Sequence, residues 1–453
     1  MVFAMFLLTA AASWAPMRWS SADPASLGIF KDTPVNCLLL EKGAINAAVA
    51  SKAAQVGIQT LVVIEAGGSV EDVQKAAQLK AKGVVFEGKF EDRTLSALHD
   101  AAAKLQLTAI EMLPRVQMKI DDAQPVVGTY QGVWPGIQVE EGGTAKAAPS
   151  GAPWINTNSG FLRFMRSATK APLWIGVRPP EKTIITPERY LQAISDAAIV
   201  GARWVIALDD DFSRRLIAGE EPARKPWDRM MQLTRYYESH ADWRDMKPAG
   251  ELAILQDVDS GALLSGGVLD MIAVKHTPVR PVPTHKLEAG AMEGTKMAVN
   301  VDPSAMTDEQ KQALRAWTKS GGTLLSGPAT WKFPPLREDQ ITLTDDDVKM
   351  LDEIWKEMNS MTGRRNLGAR LFNVSSMLSN FVRSADGRQS VLQLVNYSGF
   401  PVENVTVHVL GKFTSATLQA PGAEPKKLEV YEVEEGTGID IDNVNVAATL
   451  VLQ

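Results

Sequence analysis

Acidic residues directly follow several short apolar runs of this chain. The runs that end at positions 40, 64, 86, 110 and 208 are followed by Glu41, Glu65, Glu87, Glu111 and the triplet Asp209, Asp210 and Asp211. Two carboxyl groups at one site can divide the roles of acid and of base or nucleophile, as in glycoside hydrolysis. Carboxylates a few ångströms apart disfavour joint ionisation, which raises the pKa of one of them. The pattern predicts a carbohydrate-cleaving site with Glu111 as the general acid and Glu65, Glu87 and Asp209 as the other catalytic candidates.

The same acids have a simpler interpretation, which stays open at this stage. Acidic residues at strand ends also solvate loops or cap the helix that follows. Asp209 to Asp211 in particular match an N-cap run.

Polar and aromatic residues follow the later apolar runs and are candidates for substrate binding. Aromatic faces stack on the apolar sides of sugar rings, while amide and guanidinium groups bond sugar hydroxyls. Together with two of the acids, the predicted substrate-binding set is Glu41, Tyr130, Trp134, Asn156, Asn158, Arg178 and Asp210. Other tryptophans, such as Trp174, lie inside apolar runs and are predicted to be core residues.

The elements that must position these residues alternate between apolar runs and amphipathic, Ala-rich segments, which is typical of an α/β fold. Eight runs occur, at 35–40, 60–64, 83–86, 107–110, 126–130, 153–156, 172–177 and 203–208. Eight strands close a (β/α)8 TIM-like barrel, whose functional residues lie at the carboxyl ends of the strands. The sequence predicts such a barrel over residues 24–247, with an open doubly wound sheet as the alternative. The connection from 138 to 152 has no helical period and departs from a regular barrel.

The chain beyond the barrel predicts two smaller units. Residues 248–335 have the strand and helix pattern of a flavodoxin-like α/β domain, with a helix expected at 262–275. This stretch contains no cysteine for amidotransferase chemistry, and its Gly-rich segment 260–267 lacks the lysine and spacing of a P-loop. The domain is therefore predicted to be architectural, with assembly into a homo-oligomer as the specific hypothesis. Residues 336–387 read as a charged connector, and 388–453 alternate with period two, which predicts a small all-β sandwich.

Composition excludes several classes of function. The net charge of −6 and the absence of a basic run argue against a nucleic-acid partner. A single cysteine, Cys37, cannot form an intrachain disulfide, and the five histidines lack metal-ligand spacing. Neither a metal site nor a cofactor is expected.

The amino-terminal segment predicts export from the cytoplasm. Residues 1–15 carry no charged side chain and include the apolar run from Val2 to Ala12, as in a secretory signal peptide cleaved near Ala12. A buried N-terminal helix is the alternative. No other stretch approaches the roughly 18–20 apolar residues that a membrane span requires. The protein is therefore expected to be secreted or periplasmic.

Several segments resemble a known family. They are Thr33–Cys37, Gly132–Ile137, Pro153–Asn158, Leu173–Pro180, Gly201–Asp211, Gly321–Pro328 and Leu392–Tyr397. They are similar to secreted bacterial proteins with a glycoside-hydrolase-like barrel, and the likeness covers most of the chain. The resemblance implies a barrel, a flavodoxin-like or amidotransferase-like domain and a C-terminal β-sandwich.

The resemblance also implies where catalytic residues would lie. In the large clan of retaining barrel glycosidases, the acid/base is a Glu that ends the fourth strand and the nucleophile is a Glu that ends the seventh. On the strand count above, Glu111 matches the first place, but Arg178 stands in the second, and Glu181 follows three residues later. The departure leaves two hypotheses: a secreted glycoside hydrolase, or a catalytically inactive barrel that binds glycans or serves as a structural subunit of an extracellular assembly. Carboxyl groups roughly 5–10 Å apart across an open pocket would favour the enzyme, and acids held in ion pairs would favour the inactive barrel.

Overall fold

The computed structural model describes residues 11–140, 142–147, 151–258, 276–288, 290–303, 306–328, 330–331 and 344–453. The chain divides into two compact units. The first comprises Met1–Val133, Thr169–Ala198 and Ala202–Ser239, and the second comprises Trp134–Ala168, Ile199–Gly201 and His240–Gln453. The first ten residues of the predicted signal peptide, the predicted helix 262–275 and the Gly-rich segment 260–267 lie outside the described residues.

Eight parallel strands form the sheet of the first unit. In chain order the first ten described strands are β1 (Pro16–Trp19), β2 (Cys37–Leu40), β3 (Gln59–Glu65), β4 (Gly83–Glu87), β5 (Thr108–Leu113), β6 (Val127–Thr129), β7 (Gly136–Ile137), β8 (Ile155–Asn156), β9 (Leu173–Ile175) and β10 (Ala202–Trp204). β7 and β8 belong to the second unit, and the other eight form this sheet. The sheet order is β1-β2-β3-β4-β5-β6-β9-β10. Its edges meet where Arg18 N donates to Ile206 O at 2.8 Å and Ile206 N donates to Pro16 O at 3.2 Å. The predicted (β/α)8-like barrel is therefore confirmed.

One of the eight predicted barrel strands lies outside the barrel sheet, and one observed barrel strand was not predicted. The first barrel strand is β1, which precedes every predicted run, and the predicted run 153–156 contains β8, which pairs with β7 outside the barrel sheet. β1 has only four residues with Arg18 among them, so it shows no apolar run. Because one strand is gained before the others, Gly83–Glu87 is the fourth strand and Thr108–Leu113 the fifth, while Leu173–Ile175 remains the seventh.

Helices cover the strands of the first unit. In chain order the helices are the 3₁₀ helices Pro24–Phe30, Lys42–Ala44 and Arg115–Gln117 and the α-helices α1 (Ala47–Gln55), α2 (Val70–Gln78), α3 (Asp92–Lys104), α4 (Ser159–Ala168), α5 (Pro187–Ala198), α6 (Asp210–Ile217) and α7 (Glu221–Ser239). All of them belong to the first unit except α4, which is a helix of the second unit. Local capping fixes where several of them begin. Asn46 accepts a hydrogen bond from Val49 N at 2.9 Å, and Ser69 forms a capping box with Asp72.

Successive side chains along each strand point to opposite faces of the sheet and belong to two different apolar clusters. One cluster contains residues of the strands and the N-terminal segment alone, including Leu39, Val63, Val85, Met112 and Trp174, and it fills the barrel. A second cluster combines the intervening strand residues, such as Ile64 and Phe86, with helix residues such as Leu98. Neighbouring residues of one strand therefore face either the barrel interior or the helix layer.

In the described residues, the second unit contains a parallel sheet, two larger antiparallel sheets and the two-stranded antiparallel sheet β7-β8. Its next strands are β11 (Lys247–Pro248), β12 (Leu252–Gln256), β13 (Val279–Pro283), β14 (Met297–Asn300) and β15 (Thr323–Ser326), and its helices are α8 (Asp308–Lys319), α9 (Asp345–Thr362) and the 3₁₀ helices Ala241–Asp245 and Thr284–Lys286. Parallel strands run in the order β13-β12-β14-β15. Thr307 and Gln310 form a capping box at α8. The flavodoxin-like assignment and the predicted domain boundaries stay predictions.

The chain from Ala369 onward is all β. Its strands are β16 (Ala369–Phe372), β17 (Met377–Arg383), β18 (Ser390–Asn396), β19 (Val402–Leu410), β20 (Ala416–Gln419), β21 (Lys426–Leu428), β22 (Tyr431–Val433), β23 (Gly436–Val444) and β24 (Ala447–Leu452). They form two antiparallel sheets, β11-β17-β18-β24-β20-β21 and β16-β19-β23-β22, which share one apolar core. Two of these strands lie within the segment that the sequence assigned to the connector.

Trp14 gives a test of where the barrel begins. Its side chain is 4% exposed and belongs to the barrel interior, with its ring centroid 6.4 Å from that of Trp174. Trp14→Ala is expected to lower the free energy of unfolding by about 3–5 kcal/mol, because it leaves a cavity in the core. Urea unfolding measures this. Val56→Ala, at a position that is 48% exposed, is the control and should change stability by less than about 0.5 kcal/mol. Equal stability of Trp14→Ala and wild type would place Trp14 outside the folded barrel.

Candidate ligand site at the barrel mouth

Three glutamates meet at the carboxyl ends of β2, β3 and β4, which form the barrel mouth. Glu41, Glu65 and Glu87 continue the inward-facing series of their strands, two residues after Leu39, Val63 and Val85. Arg178, three residues after β9, reaches all three of them. Its Nε donates to Glu41 Oε1 at 2.9 Å, its Nη2 to Glu65 Oε1 at 2.9 Å, and its Nη1 lies 2.8 Å from Glu87 Oε1.

A second arginine comes from β1. Arg18 is buried, and its Nη1 donates to Glu41 Oε1 and to Glu87 Oε1, each at 3.2 Å, while its Nη2 donates to Glu87 Oε2. Both oxygens of Glu87 therefore accept hydrogen bonds from guanidinium groups, and the side chain is only 4% exposed. We call Arg18, Glu41, Glu65, Glu87 and Arg178 the mouth cluster.

The mouth cluster carries three carboxylates against two guanidinium groups, which leaves one net negative charge. Burial tends to lower the pKa of Arg178, but the charges of Glu87, Glu41 and Glu65 outweigh burial and hold that pKa above its ordinary value. The arginine therefore stays charged at any pH at which the protein is folded. A bare carboxylate ring of the predicted kind is absent from the described part of the mouth.

Two carboxylate oxygens of the cluster remain available to a ligand. Oε2 of Glu41 and Oε2 of Glu65 make no hydrogen bond to any described residue. The Glu65 side chain is 68% exposed and that of Arg178 is 44% exposed. The outer part of the cluster can thus accept hydrogen bonds from ligand hydroxyls.

Glu111 faces away from the mouth. The prediction that it ends its strand is wrong, because β5 continues to Leu113 and Glu111 is opposite Phe86, which packs in the helix layer. Its Oε1 lies 2.7 Å from Nε2 of His99 on α3. Met112, the next residue, belongs to the interior cluster instead. Glu111 is therefore held between β5 and the helix that covers it.

Asp209 caps a helix. Its Oδ1 accepts from Phe212 N at 2.9 Å, at the first turn of α6, and its Oδ2 accepts from Tyr190 Oη at 2.9 Å and from Ile185 N at 3.1 Å. Asp210 is exposed in the first turn of the same helix. The contact of Oδ1 is the N-cap bond that the alternative interpretation describes, while Oδ2 is held by Tyr190 and Ile185. Burial raises the pKa of the Tyr190 hydroxyl.

The remaining predicted binding residues are only partly placed. Tyr130 follows β6 and is half-buried. Trp134, Asn156 and Asn158 belong to the second unit, so their participation in the mouth stays a prediction. No group of three or more His, Cys, Asp or Glu side chains is arranged to hold a metal ion within the described ranges. None of the helices in those ranges has the length and apolar composition that a membrane crossing requires.

Sequence reasoning missed Arg18, His99 and Tyr190, which hold the predicted acids. His99 and Tyr190 lie within amphipathic helices, where no motif distinguishes them from other face residues. Arg18 offered one signal: it is the single charged residue among the first 22 positions, between Met17 and Trp19. An arginine between two large apolar residues is consistent with a short strand whose polar side chain faces inward.

Solved structures are similar to this chain in fold. No family model matches it, and no curated protein sequence matches it. An α-L-fucosidase isoenzyme 2 from Paenibacillus thiaminolyticus aligns over 97% of this chain and 99% of its own, with a TM-score of 0.59 and 9% identity. A β-galactosidase from Rahnella sp. R3 aligns over 94% of this chain and 98% of its own, with a TM-score of 0.50 and 9% identity. At such identities the similarity shows the fold alone.

Removal of Arg178 tests whether it neutralises the mouth. Arg178→Gln is expected to lower the free energy of unfolding by about 1–3 kcal/mol near neutral pH, because Glu41 and Glu87 then share Arg18 and Glu65 loses its guanidinium partner. In the wild type the folded-state pKa of Arg178 is raised, so its contribution is fully present below its ordinary pKa and is lost only as the pH rises through the higher folded value.

The pH dependence of the variant should therefore come from its carboxylates. Repulsion requires ionised carboxylates, so the loss of stability should shrink in acid, where carboxyl groups in general become protonated. Urea unfolding of both proteins over a pH series measures this. Arg178→Lys keeps the charge without the guanidinium fork and should lose less. A loss that does not change with pH would rule out carboxylate repulsion as its cause.

Proposed function

We propose that this protein is an extracytoplasmic carbohydrate-binding barrel that does not hydrolyse its ligand. The observation that carries the proposal is the contact of Arg178 with all three glutamates of the mouth. A general acid must donate a proton from a carboxyl oxygen, but both oxygens of Glu87 already accept N–H groups. Three of the roughly four lone-pair sites of this carboxylate, the most enclosed of the mouth, are therefore used by guanidinium groups, which makes Glu87 a poor proton donor to a ligand.

The observed strand count strengthens this argument. Glu87, not Glu111, ends the fourth strand, which is the acid/base position that the family resemblance implies. Arg178 follows the seventh strand, where the resemblance implies the nucleophile, and its Nη1 lies 2.8 Å from Glu87 Oε1. An ion pair thus occupies the two places where a retaining hydrolase needs two carboxyl groups.

Binding of a sugar remains compatible with this geometry. Sugars present many hydroxyl donors, and Glu41 and Glu65 each keep one free carboxylate oxygen at the mouth. The exposed part of Arg178 supplies donors beside these acceptors. The fold similarity to two glycosidases is consistent with a carbohydrate ligand.

Export belongs to the same proposal. The uncharged, apolar run from Val2 to Ala12 supports a signal peptide, and the lone cysteine creates no disulfide requirement. Cys37 lies in the barrel interior, where burial raises the pKa of its thiol and disfavours the reactive thiolate. Assembly through the second unit stays a prediction.

A panel of neutral polysaccharides tests the proposal: galactans, glucans, xylans and mannans. We expect at least one to bind in calorimetric titration, and Glu41→Gln and Glu65→Gln to weaken binding by about tenfold each, since each replaces an anionic acceptor. Glu71→Gln is the matched control, because Glu71 is exposed on α2 and makes no ion pair with any described residue. Reducing-sugar release should stay at background.

Two results would contradict the proposal. Failure of every neutral polysaccharide to bind would remove the mouth as a carbohydrate-binding site. Hydrolysis that is abolished by Glu87→Gln would instead establish a glycoside hydrolase whose mouth rearranges around its substrate.

A further inference from the structure

A groove lies on the side of the first unit, between its first and last elements. The 3₁₀ helix Pro24–Phe30 follows β1 and is much shorter than α7, which it faces. Phe30 anchors it there, with its ring 5.0 Å from Trp19 and 6.0 Å from Trp227 between centroids. The space left open beside this contact has a volume of about 820 Å³, within the range of roughly 300–1,000 Å³ that is usual for ligand pockets.

The wall formed by α7 presents one face of the helix to the groove. Arg224, Asp228, Met231 and Arg235 follow one another at spacings of four, three and four residues, which places them in a row. The guanidinium of Arg224 lies beside Gly219, where an added Cβ would be 3.1 Å from its Nη2. Arg235 donates a hydrogen bond to Asp32 O and so ties the opposite wall to α7.

The groove is positively charged on an acidic protein. Its charged side chains are Lys31, Arg224, Arg229 and Arg235 against Asp32 and Asp228, and Arg229 forms an ion pair with Glu188 at 3.3 Å. One positive charge therefore remains in excess at the groove, where the chain as a whole carries −6. Lys31 and Arg224 are exposed, one on each wall, and neither forms an ion pair or side-chain hydrogen bond with a described residue. Two cations that line the same open space without a carboxylate partner among the described residues are suited to an anion there.

The floor and volume of the groove favour a large, partly apolar ligand. Trp227, Leu216 and Met231 are buried beneath it, and Gln232 adds an exposed amide on the α7 wall. A sugar chain with regularly spaced acidic groups combines apolar ring surfaces, hydroxyls and anionic charge. A free inorganic anion would use only a small part of this volume.

We propose that the groove binds an acidic polysaccharide segment, with uronate carboxylates or sulfate groups between Lys31 and Arg224. The inference rests on the proposed carbohydrate function and names the ligand class of a second site. Neutral sugars would be bound at the mouth, which carries net negative charge, and acidic ones at the groove.

Three probes of similar length test the groove: an oligogalacturonate, a chondroitin sulfate oligosaccharide and a neutral galactan. The variant is Lys31→Ala/Arg224→Ala. The control is Arg93→Ala/Lys104→Ala, which removes two exposed cations of α3 and changes the net charge equally. We expect the groove variant to weaken binding of at least one acidic probe by about tenfold or more, the control to bind as wild type, and added salt to weaken acidic binding.

Comparison of the two acidic probes distinguishes carboxylate from sulfate as the recognised group. Equal weakening in the groove and control variants, or absence of acidic binding while the galactan binds, would overturn the groove proposal alone. Acidic binding that the groove variant weakens, with no neutral glycan bound, would support the groove and contradict the mouth site. Tighter binding of a single-stranded oligonucleotide than of either acidic glycan at equal salt would also overturn the proposal.

Discussion

The arginine and glutamate pairs of the mouth cluster are the interaction on which the rest of the first unit depends. Glu87 is nearly excluded from water, and the removal of a carboxylate from water costs several kcal/mol unless charge and hydrogen bonds compensate it. Arg18 and Arg178 supply both. They also join β1, β2, β3, β4 and the chain after β9, so the ends of five segments are connected by ion pairs at one level of the barrel. The ion pairs that connect these segments therefore also engage the carboxylate that could otherwise have served as a catalytic acid.

The acids that lie outside the mouth show how similar sequence contexts produce different roles. Glu87 and Glu111 both follow an apolar run on neighbouring strands, yet one faces the interior and the other pairs with His99 in the helix layer. A shift of one residue along a strand reverses the face of a side chain. Asp209 follows a run as well, but its oxygens accept from the first turn of α6 and from Tyr190. Position relative to the pleat, and not residue type, separates these functions.

Much of the barrel could be predicted from the sequence because its parallel strands are buried on both faces and appear as continuous apolar runs. This made β2, β3, β4 and β5 visible and placed Glu41, Glu65, Glu87 and Arg178 at one rim. Because both faces of these strands are apolar, the sequence does not distinguish inward-facing from outward-facing residues. The orientation of Glu111 could therefore not be predicted. β1 was missed because Arg18 interrupts a four-residue strand, and β8 was assigned to the barrel because a short apolar run carries no information on its pairing partner.

The charge distribution of the first unit connects the two proposed sites. Mouth glutamates are drawn together by two arginines and retain one net negative charge, while the cations of the lateral groove face solvent with no carboxylate close enough to pair with Lys31 or Arg224 among the described residues. Exposed arginines in an acidic chain would gain from pairing with a surface carboxylate, and α7 itself offers Asp228 one turn from Arg224. Arg224 instead lies against the end of α6 beside Gly219. Arg224 therefore lines the groove without an ion pair to Asp228. An external anion bound in the groove would balance its charge.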